Sequence, residues 1–445
     1  MKRLFITTLL ACSFLTGCTA LTDPAQTRPI QAPFTQEQKW WLAFNDPLME
    51  ELTSTLLQQN LDLQIAVKRV EESRALRRIS QSTLFPDIAG SAIARRGNTD
   101  SANAAGIAQI GFDTAWEIDL FGANRSALDA SSARLSAAQA NALDIKRVIT
   151  ADLIRAVIEW RKAQQSLTET QSLLTAQTDQ VNLFSSRTKA GLIDATFLER
   201  ARAQREQTAT QIPLSHAAAK TAQYQIERLL GHKPESLSPI LAKFKTPRLS
   251  VPAPGDALDI SIDTIRNRPD IRSAAYDIMA AQADLREAEA NLWPRVTLST
   301  FFGVQETSEG LEAIAASNPV WSLAGNITAP LLNFGRLHGA VDAADARAQR
   351  AVLQYENAVL LALQDARTAL SDYLNGSNAA NQQAAALKHR KATVALAHER
   401  FNRGLTDMTD VTTAQAELDQ ATIALIERKA TAAIAYVRLQ KALGI

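Results

Sequence analysis

Residues 112–122 read FDTAWEIDLFG, and the 68 residues that follow, up to Gly191, contain neither glycine nor proline. Two periodicities meet here. Phe112, Thr114, Trp116, Ile118 and Leu120 alternate with Asp113, Ala115, Glu117 and Asp119, a period of two that predicts a strand with one greasy and one acidic face. Beyond Gly122 the chain is rich in Ala, Leu, Gln, Arg and Glu, all good helix formers. Apolar residues there recur at helical spacing, as at Leu143, Val148, Leu153 and Val157. The expected helix, 123–190, would reach roughly 100 Å at about 1.5 Å per residue. No ordinary globular core needs that length, which points to a coiled coil or the wall of a tube.

The pattern is written twice. Phe121-Gly122 returns as Phe334-Gly335, and the register then holds without a gap to Gly231 and Gly444, pairing Asp129 with Asp342, Arg187 with Arg400, and Gly191-Leu192 with Gly404-Leu405. Upstream, Asp62 to Pro86 re-reads at Asp270 to Pro294. A duplication this long implies two structurally equivalent halves, 47–231 and 258–445. A Pro-rich linker, 232–257, separates them; its prolines exclude a regular helix or a central strand. The second long helix is expected at 336–403, again free of proline. The shorter stretches Ala195–Leu230, 258–292, Met408–Leu443 and Pro47–Leu84 match the long helices in length when summed in pairs. We expect the first of these to stack on the second, and the third on the fourth across the termini, with a kink at Pro213.

Strands are expected at about 86–96 and 108–121 in the first half, and at about 294–304 and 321–333 in the second. The class is mainly α with a small β part. A strand of about ten residues, apolar on one face and polar on the other, has the form of an outer-membrane barrel strand. No later stretch reaches the ~18 apolar residues of a spanning helix, so any crossing must use strands. Four strands cannot close in lipid, because open edges leave backbone groups unsatisfied. A homotrimer supplies twelve strands, whereas the eight of a dimer would enclose an interior filled by side chains.

Lys2-Arg3 followed by the apolar run Leu4–Leu15 reads as a targeting segment. It ends in Leu15-Thr16-Gly17-Cys18, which resembles a bacterial lipobox. Residues 1–17 would then be a lipoprotein signal peptide, Cys18 the lipid carrier, and 18–46 a tether. Thr19, where an inner-membrane lipoprotein would carry Asp, favours the outer membrane. The formal net charge is +1 with both signs interspersed, which argues against nucleic-acid binding. The five histidines, His216, His232, His338, His389 and His398, lack metal-like spacing, and no nucleophile–base constellation or phosphate loop is present. No catalysis and no cofactor beyond the lipid on Cys18 are expected.

Six pieces, in order, then add up to a resemblance: Trp41, Phe44 and Asp46-Pro47-Leu48; Asn60-Leu61-Asp62-Leu63; Asp119-Leu120-Phe121-Gly122; Arg268-Pro269-Asp270-Ile271; Trp293-Pro294; and Pro330-Leu331-Leu332-Asn333-Phe334-Gly335. The chain resembles the TolC-like outer-membrane efflux proteins of the lipoprotein (OprM/NodT-like) branch, over essentially its whole mature length. The resemblance implies a trimeric duct: a 12-stranded β-barrel in the outer membrane and a long antiparallel α-helical barrel across the periplasm. It implies a periplasmic adaptor and an inner-membrane pump of RND type as partners, and drugs or small toxic molecules as cargo.

The helix-to-helix turns at the ends distal to the membrane are the expected adaptor-docking tips, at Gly191-Leu192 and Gly404-Leu405. Asp407 and Asp410, just past the second tip, would form carboxylate rings at the periplasmic mouth of a threefold tube, a cation-attracting constriction. Asp410 aligns with an aspartate of the family's constriction, while the next acidic position falls at Thr413. In the first half Asp194 answers Asp407, but Phe197 stands where the second has Asp410. Arg400 and Arg403 are candidates for ion pairs that tie the closed tips, and Asp113, Glu117 and Asp119 for lining a wet lumen. A type I protein-secretion duct, and a pore-less periplasmic coiled-coil scaffold lipoprotein, remain as alternatives.

Overall fold

The computed structural model describes residues 39–98, 104–244, 249–253, 261–308 and 318–444. The expected signal peptide, Cys18 and most of the tether lie outside the described residues. A 3₁₀ turn at Trp40–Phe44 leads into α1 (Pro47–Gln59) and α2 (Leu61–Ser82), then β1 (Asp87–Asn98) and β2 (Ala104–Ile118). Next come α3 (Ala123–Lys189), α4 (Ala195–Ala209), α5 (Gln211–Leu229) and the short α6 (Ser238–Lys243). The second half runs α7 (Ile262–Arg266), α8 (Pro269–Ala290), β3 (Arg295–Ser308), β4 (Asn318–Thr328), α9 (Arg336–Asn402) and α10 (Met408–Leu443).

The long helices α3 and α9 have 67 residues each, roughly 100 Å of continuous helix. Each starts directly after a left-handed glycine, Gly122 or Gly335. Among the described residues no helix is long and apolar enough to cross a membrane.

The four strands form one antiparallel sheet in the order β1-β2-β3-β4, so β2 and β3 join the halves while β1 and β4 are edges. Register lines up Phe112, Phe302 and Trp321, and beside them Ile110, Val304 and Pro319. Phe302 is 65% exposed and Trp321 75% exposed, so the greasy face has no covering layer within the chain. The strands differ from expectation at both ends. At the outer end, pairing runs on to Asn98↔Ala104 and to Gln305↔Asn318, past the point where the apolar alternation fades, because backbone pairing does not require it. At the inner end β2 stops at Ile118 rather than 121: Leu120 N–H bonds back to Ile118 O at 2.9 Å, and the Asp119 carboxylate accepts from Arg125 N at 2.9 Å. Likewise β4 stops at Thr328 rather than 333, since Pro330 has no N–H to give the ladder.

Three other expectations are corrected. The first return stretch is two helices, not one kinked helix. The break falls at Thr210 because the Pro213 ring crowds the carbonyl of Ala209, the last residue of α4. The linker does hold a short helix, α6, with Pro239 in its first turn, where the missing N–H costs nothing. The stretch expected from Leu258 is likewise split, as α7 and then α8, which starts on Pro269.

The stacking partners are also exchanged. Asn60 accepts from Leu63 N at 2.7 Å as the N-cap of α2, and its amide donates to Leu229 O at 2.7 Å at the end of α5. Thus α5 abuts α2 of its own half. Arg268, at the head of α8, donates to Ala442 O at 2.8 Å, so α10 abuts α8. Asn60 and Arg268 are repeat-equivalent, as are Leu229 and Ala442. Summed lengths allow either pairing; the caps select one.

A core crosses the middle of the helical body. Leu48, Leu52, Leu153, Ile154, Ile158, Ile226 and Tyr373 are fully or almost fully buried there, with Tyr436 beside them. The segment before α1 is bolted to α3 by an ion pair: Arg161 Nε and Nη2 reach the two Asp46 oxygens at 2.9 Å each, both side chains being buried. Asp46 also caps α1 through Leu48 N at 3.0 Å.

Candidate functional site

The two tips are the same turn built twice. At the first, Gly191 has φ +71, with Gly191 N bonding Thr188 O at 3.0 Å and Leu192 N bonding Arg187 O at 2.9 Å. At the second, Gly404 has φ +70, Gly404 N reaches Phe401 O at 2.9 Å and Leu405 N reaches Arg400 O at 2.9 Å. The bond from the residue after the glycine back five positions is the left-handed helix ending that glycine permits at least cost. Asp194 and Asp407 then cap the returning helices, accepting from Thr196 N and Thr409 N at 2.7 Å each. Leu192 and Leu405 project to solvent from both turns.

The tips lean on one another through an apolar cluster of Val181, Phe184, Leu198, Ala201, Met408 and Val411, with Ile193, Phe197 and Phe401 packed at its edge. Arg187 lies over the Phe401 ring, 5.8 Å from its centre. The mismatch between the halves is explained here: Phe197 joins the packing between hairpins, whereas Asp410 is exposed. Asp410 accepts from the Thr406 hydroxyl in the turn. Asp407 and Asp410 are therefore brought together at one exposed helix start, linked by Asp410 N to Asp407 Oδ1 at 3.4 Å. Arg400 and Arg403 are not joined to the neighbouring hairpin. Arg403 pairs with Glu399 one turn back on α9, and among the described residues no ion pair is recorded for Arg400.

Above the cluster lies a site the sequence did not announce. Gln177 on α3 donates to Asp419 Oδ2 on α10 at 3.1 Å, and Gln415 donates to the other oxygen at 2.7 Å. Gln177 is 4% and Asp419 6% exposed. Burial pushes the Asp419 carboxyl above the usual carboxylate range, against the opposing pull of the two amides. The Gln177 carbonyl Oε1 is left without a partner. A cavity of about 330 Å³ opens beside this pair, lined also by His398, Asp179 and Phe184. No spacing signal marks Gln177 and Asp419, which lie 242 residues apart.

At the other end, the face of the sheet opposite the greasy one carries Asp113 and Glu117 of β2 and Arg295 of β3, with Arg295 3.9 Å from Glu117. Asp119 is not on this wall; it belongs to the turn and pairs with Arg125 at 3.3 Å. Among the described residues there is no cluster able to hold a metal ion.

The outer membrane efflux protein family matches residues 52–232 and 262–445, one match to each half. The solvent efflux pump outer membrane protein SrpC of Pseudomonas putida is 29% identical over 384 residues, covering 84% of this chain and 80% of its own. Nodulation protein T of Rhizobium leguminosarum bv. trifolii is 26% identical over 390 residues, covering 85% and 81%. Of solved structures, the outer-membrane channel OprN superposes with TM-score 0.84 at 31% identity over 92% of both chains. VceC of Vibrio cholerae shares the fold with TM-score 0.82 at 22% identity, over 91% of this chain and 98% of its own.

Proposed function

This chain belongs to the outer membrane efflux protein family, a family of ducts rather than enzymes, and from that premise we propose how it forms one. Three copies close the sheet into a 12-stranded barrel in the outer membrane, and their long helices form a tube across the periplasm. The tube passes small toxic or drug-like molecules outward from an inner-membrane pump of RND type through a periplasmic adaptor. Cys18 carries a lipid that anchors the chain to the outer membrane. The adaptor docks at the tips, on Gly191-Leu192 and Gly404-Leu405. Asp407 and Asp410 of three copies ring the periplasmic mouth, and Arg400 and Arg403 tie the closed tips between copies.

One observation carries the reading. The sheet has two unpaired edges, β1 and β4, and a bare greasy face next to a polar one. Such a sheet is unstable alone in lipid and complete only when closed with further copies. Relatives named for solvent, toluene and pyoverdine export support small-molecule cargo over a secreted polypeptide.

Planar-bilayer recording on the purified protein tests this. A steady conductance is expected, raised in Asp407→Ala and Asp410→Ala or less sensitive to block by multivalent cations. Absence of conductance in all three proteins would refute the duct and favour the scaffold. Conductance unchanged by both substitutions would remove these aspartates from the mouth.

A further inference from the structure

The polar face of the sheet holds one aromatic ring that its neighbours leave no reason to expect. Phe301 points to the same face as Arg295, Thr297, Ser299 and Gln305, opposite to the outward Phe302. Its ring does not stand off the wall. Phe301 Cζ lies 2.7 Å from where a Cβ on Gly111 would sit and 2.6 Å from where one on Gly303 would sit. Gly303 is two residues along the same strand and Gly111 is its cross-strand partner. The ring is thus laid down along the sheet in a seat that only two facing glycines leave open, a known way for an aromatic to cover strand glycines.

Directly across from Phe301 is Asp113, with Ala89 and Ser322 at the two ends of the same row and Asp87, Ala115 and Ser299 in the next. Asp113 is exposed, and among the described residues no hydrogen bond or ion pair is recorded for it. Its Cβ is on the order of 5 Å from that of Phe301 in such a pair. Because the ring leans away toward Gly303, the carboxylate stays open to the lumen. An exposed carboxylate beside a π-surface, with a second exposed carboxylate, Asp87, one row away, is the chemistry that holds a cation with an apolar body. The charge meets the carboxylate and the ring quadrupole, and the hydrocarbon meets the ring.

We propose that Asp113 and Phe301, three times around the barrel, form a transit site for bulky organic cations on the lumen wall. The site rests on the duct reading. It lies in the barrel, far from the periplasmic mouth, so it is open to a probe from outside.

The test is block of single-channel current by tetraphenylphosphonium added on the barrel side of the reconstituted protein. Asp113→Asn is expected to raise the half-blocking concentration about fivefold and Phe301→Leu about two- to fivefold. Block by tetramethylammonium is expected to respond to Asp113→Asn but hardly to Phe301→Leu, because the small ion gains little from the ring. Equal half-blocking concentrations of tetraphenylphosphonium in all three conducting proteins would overturn the site and leave the duct standing. A wild-type protein with no current would overturn the duct, and the site with it.

Discussion

The two tips share a backbone and differ in purpose. Both end a 67-residue helix on a left-handed glycine and restart on a capping aspartate. In the first hairpin the residue three past that aspartate is Phe197, which packs at the edge of the cluster between hairpins; in the second it is Asp410, which faces solvent. Duplication supplied one turn twice, and a single position assigns one copy to packing and the other to charge. The joints at mid-height show the same division: Asn60 and Arg268 do one job, closing the end of a helix that arrives from the tip, with a neutral amide in one half and a buried guanidinium in the other.

That contrast can be broken most severely at the joint. Arg268 is buried, donates to Ala442 O, and is held by Asp270 at 2.6 Å. Arg268→Ala is expected to cost about 2–3 kcal/mol, because it strips the charge-assisted donor from the buried Ala442 carbonyl while Asp270, a third exposed, keeps Arg147 nearby. Asn60→Ala, which loses a neutral cap, should cost only about 1–2 kcal/mol. Chemical unfolding followed by circular dichroism would rank them, and equal losses would mean that the charge adds nothing.

At the tips, Phe197→Asp makes the halves alike and removes a ring from the shared cluster. A loss of about 1–2 kcal/mol is expected from the half-buried ring surface alone. The reverse change, Asp410→Phe, adds apolar surface to solvent and should leave stability nearly unchanged. Protease nicking at the tips compares the two, and similar rates in both variants would contradict the assignment of roles.

The link between the hairpins sharpens the comparison through pH. The Asp419 carboxyl is raised in the folded chain by burial, so the folded state holds its proton at pH values where the unfolded chain has released it. Stability must then fall as pH rises from the ordinary carboxylate range up to the raised value, and be regained on acidification. His398 and Asp179 border the same cavity. Asp419→Asn should abolish this slope. It also leaves no buried carboxylate to ionise at neutral pH, where stability should therefore rise. Thermal unfolding across pH values measures both, and a slope that persists in Asp419→Asn would assign it to another group.

The smallest effect tests what the halves still share. Gly191→Ala and Gly404→Ala each force a side chain into a left-handed backbone, at about 1 kcal/mol apiece. Nothing lies within 4 Å of either added Cβ, so the two costs should match. A clear inequality would show that one turn is held by contacts between copies.

Much of the site was legible because it sits where two periodicities meet. The tips are glycines that end very long proline-free runs, and the polar wall is the acidic half of a strict alternation. Phe197 against Asp410 stood out because a repeat makes every mismatch visible. The buried Gln177–Asp419 link was not legible: each residue is an ordinary polar helix position until two helices far apart in the chain pack together. Phe301 was readable as a member of the polar face, but its posture depends on Gly111 from the other half of the chain.

The sequence by itself determined the two halves, the length of α3 and α9, and a sheet with one apolar and one polar face, because each follows from local periodicity and from where glycine and proline fall. Only the tertiary structure decided which short helix stacks on which, since α5 with α2 and α5 with α8 sum to equal lengths. The choice is made by Asn60 and Arg268 closing helix ends 169 and 174 residues away. Orphan carbonyls at a helix end must find donors, and which donor is near depends on the assembled fold rather than on any local pattern.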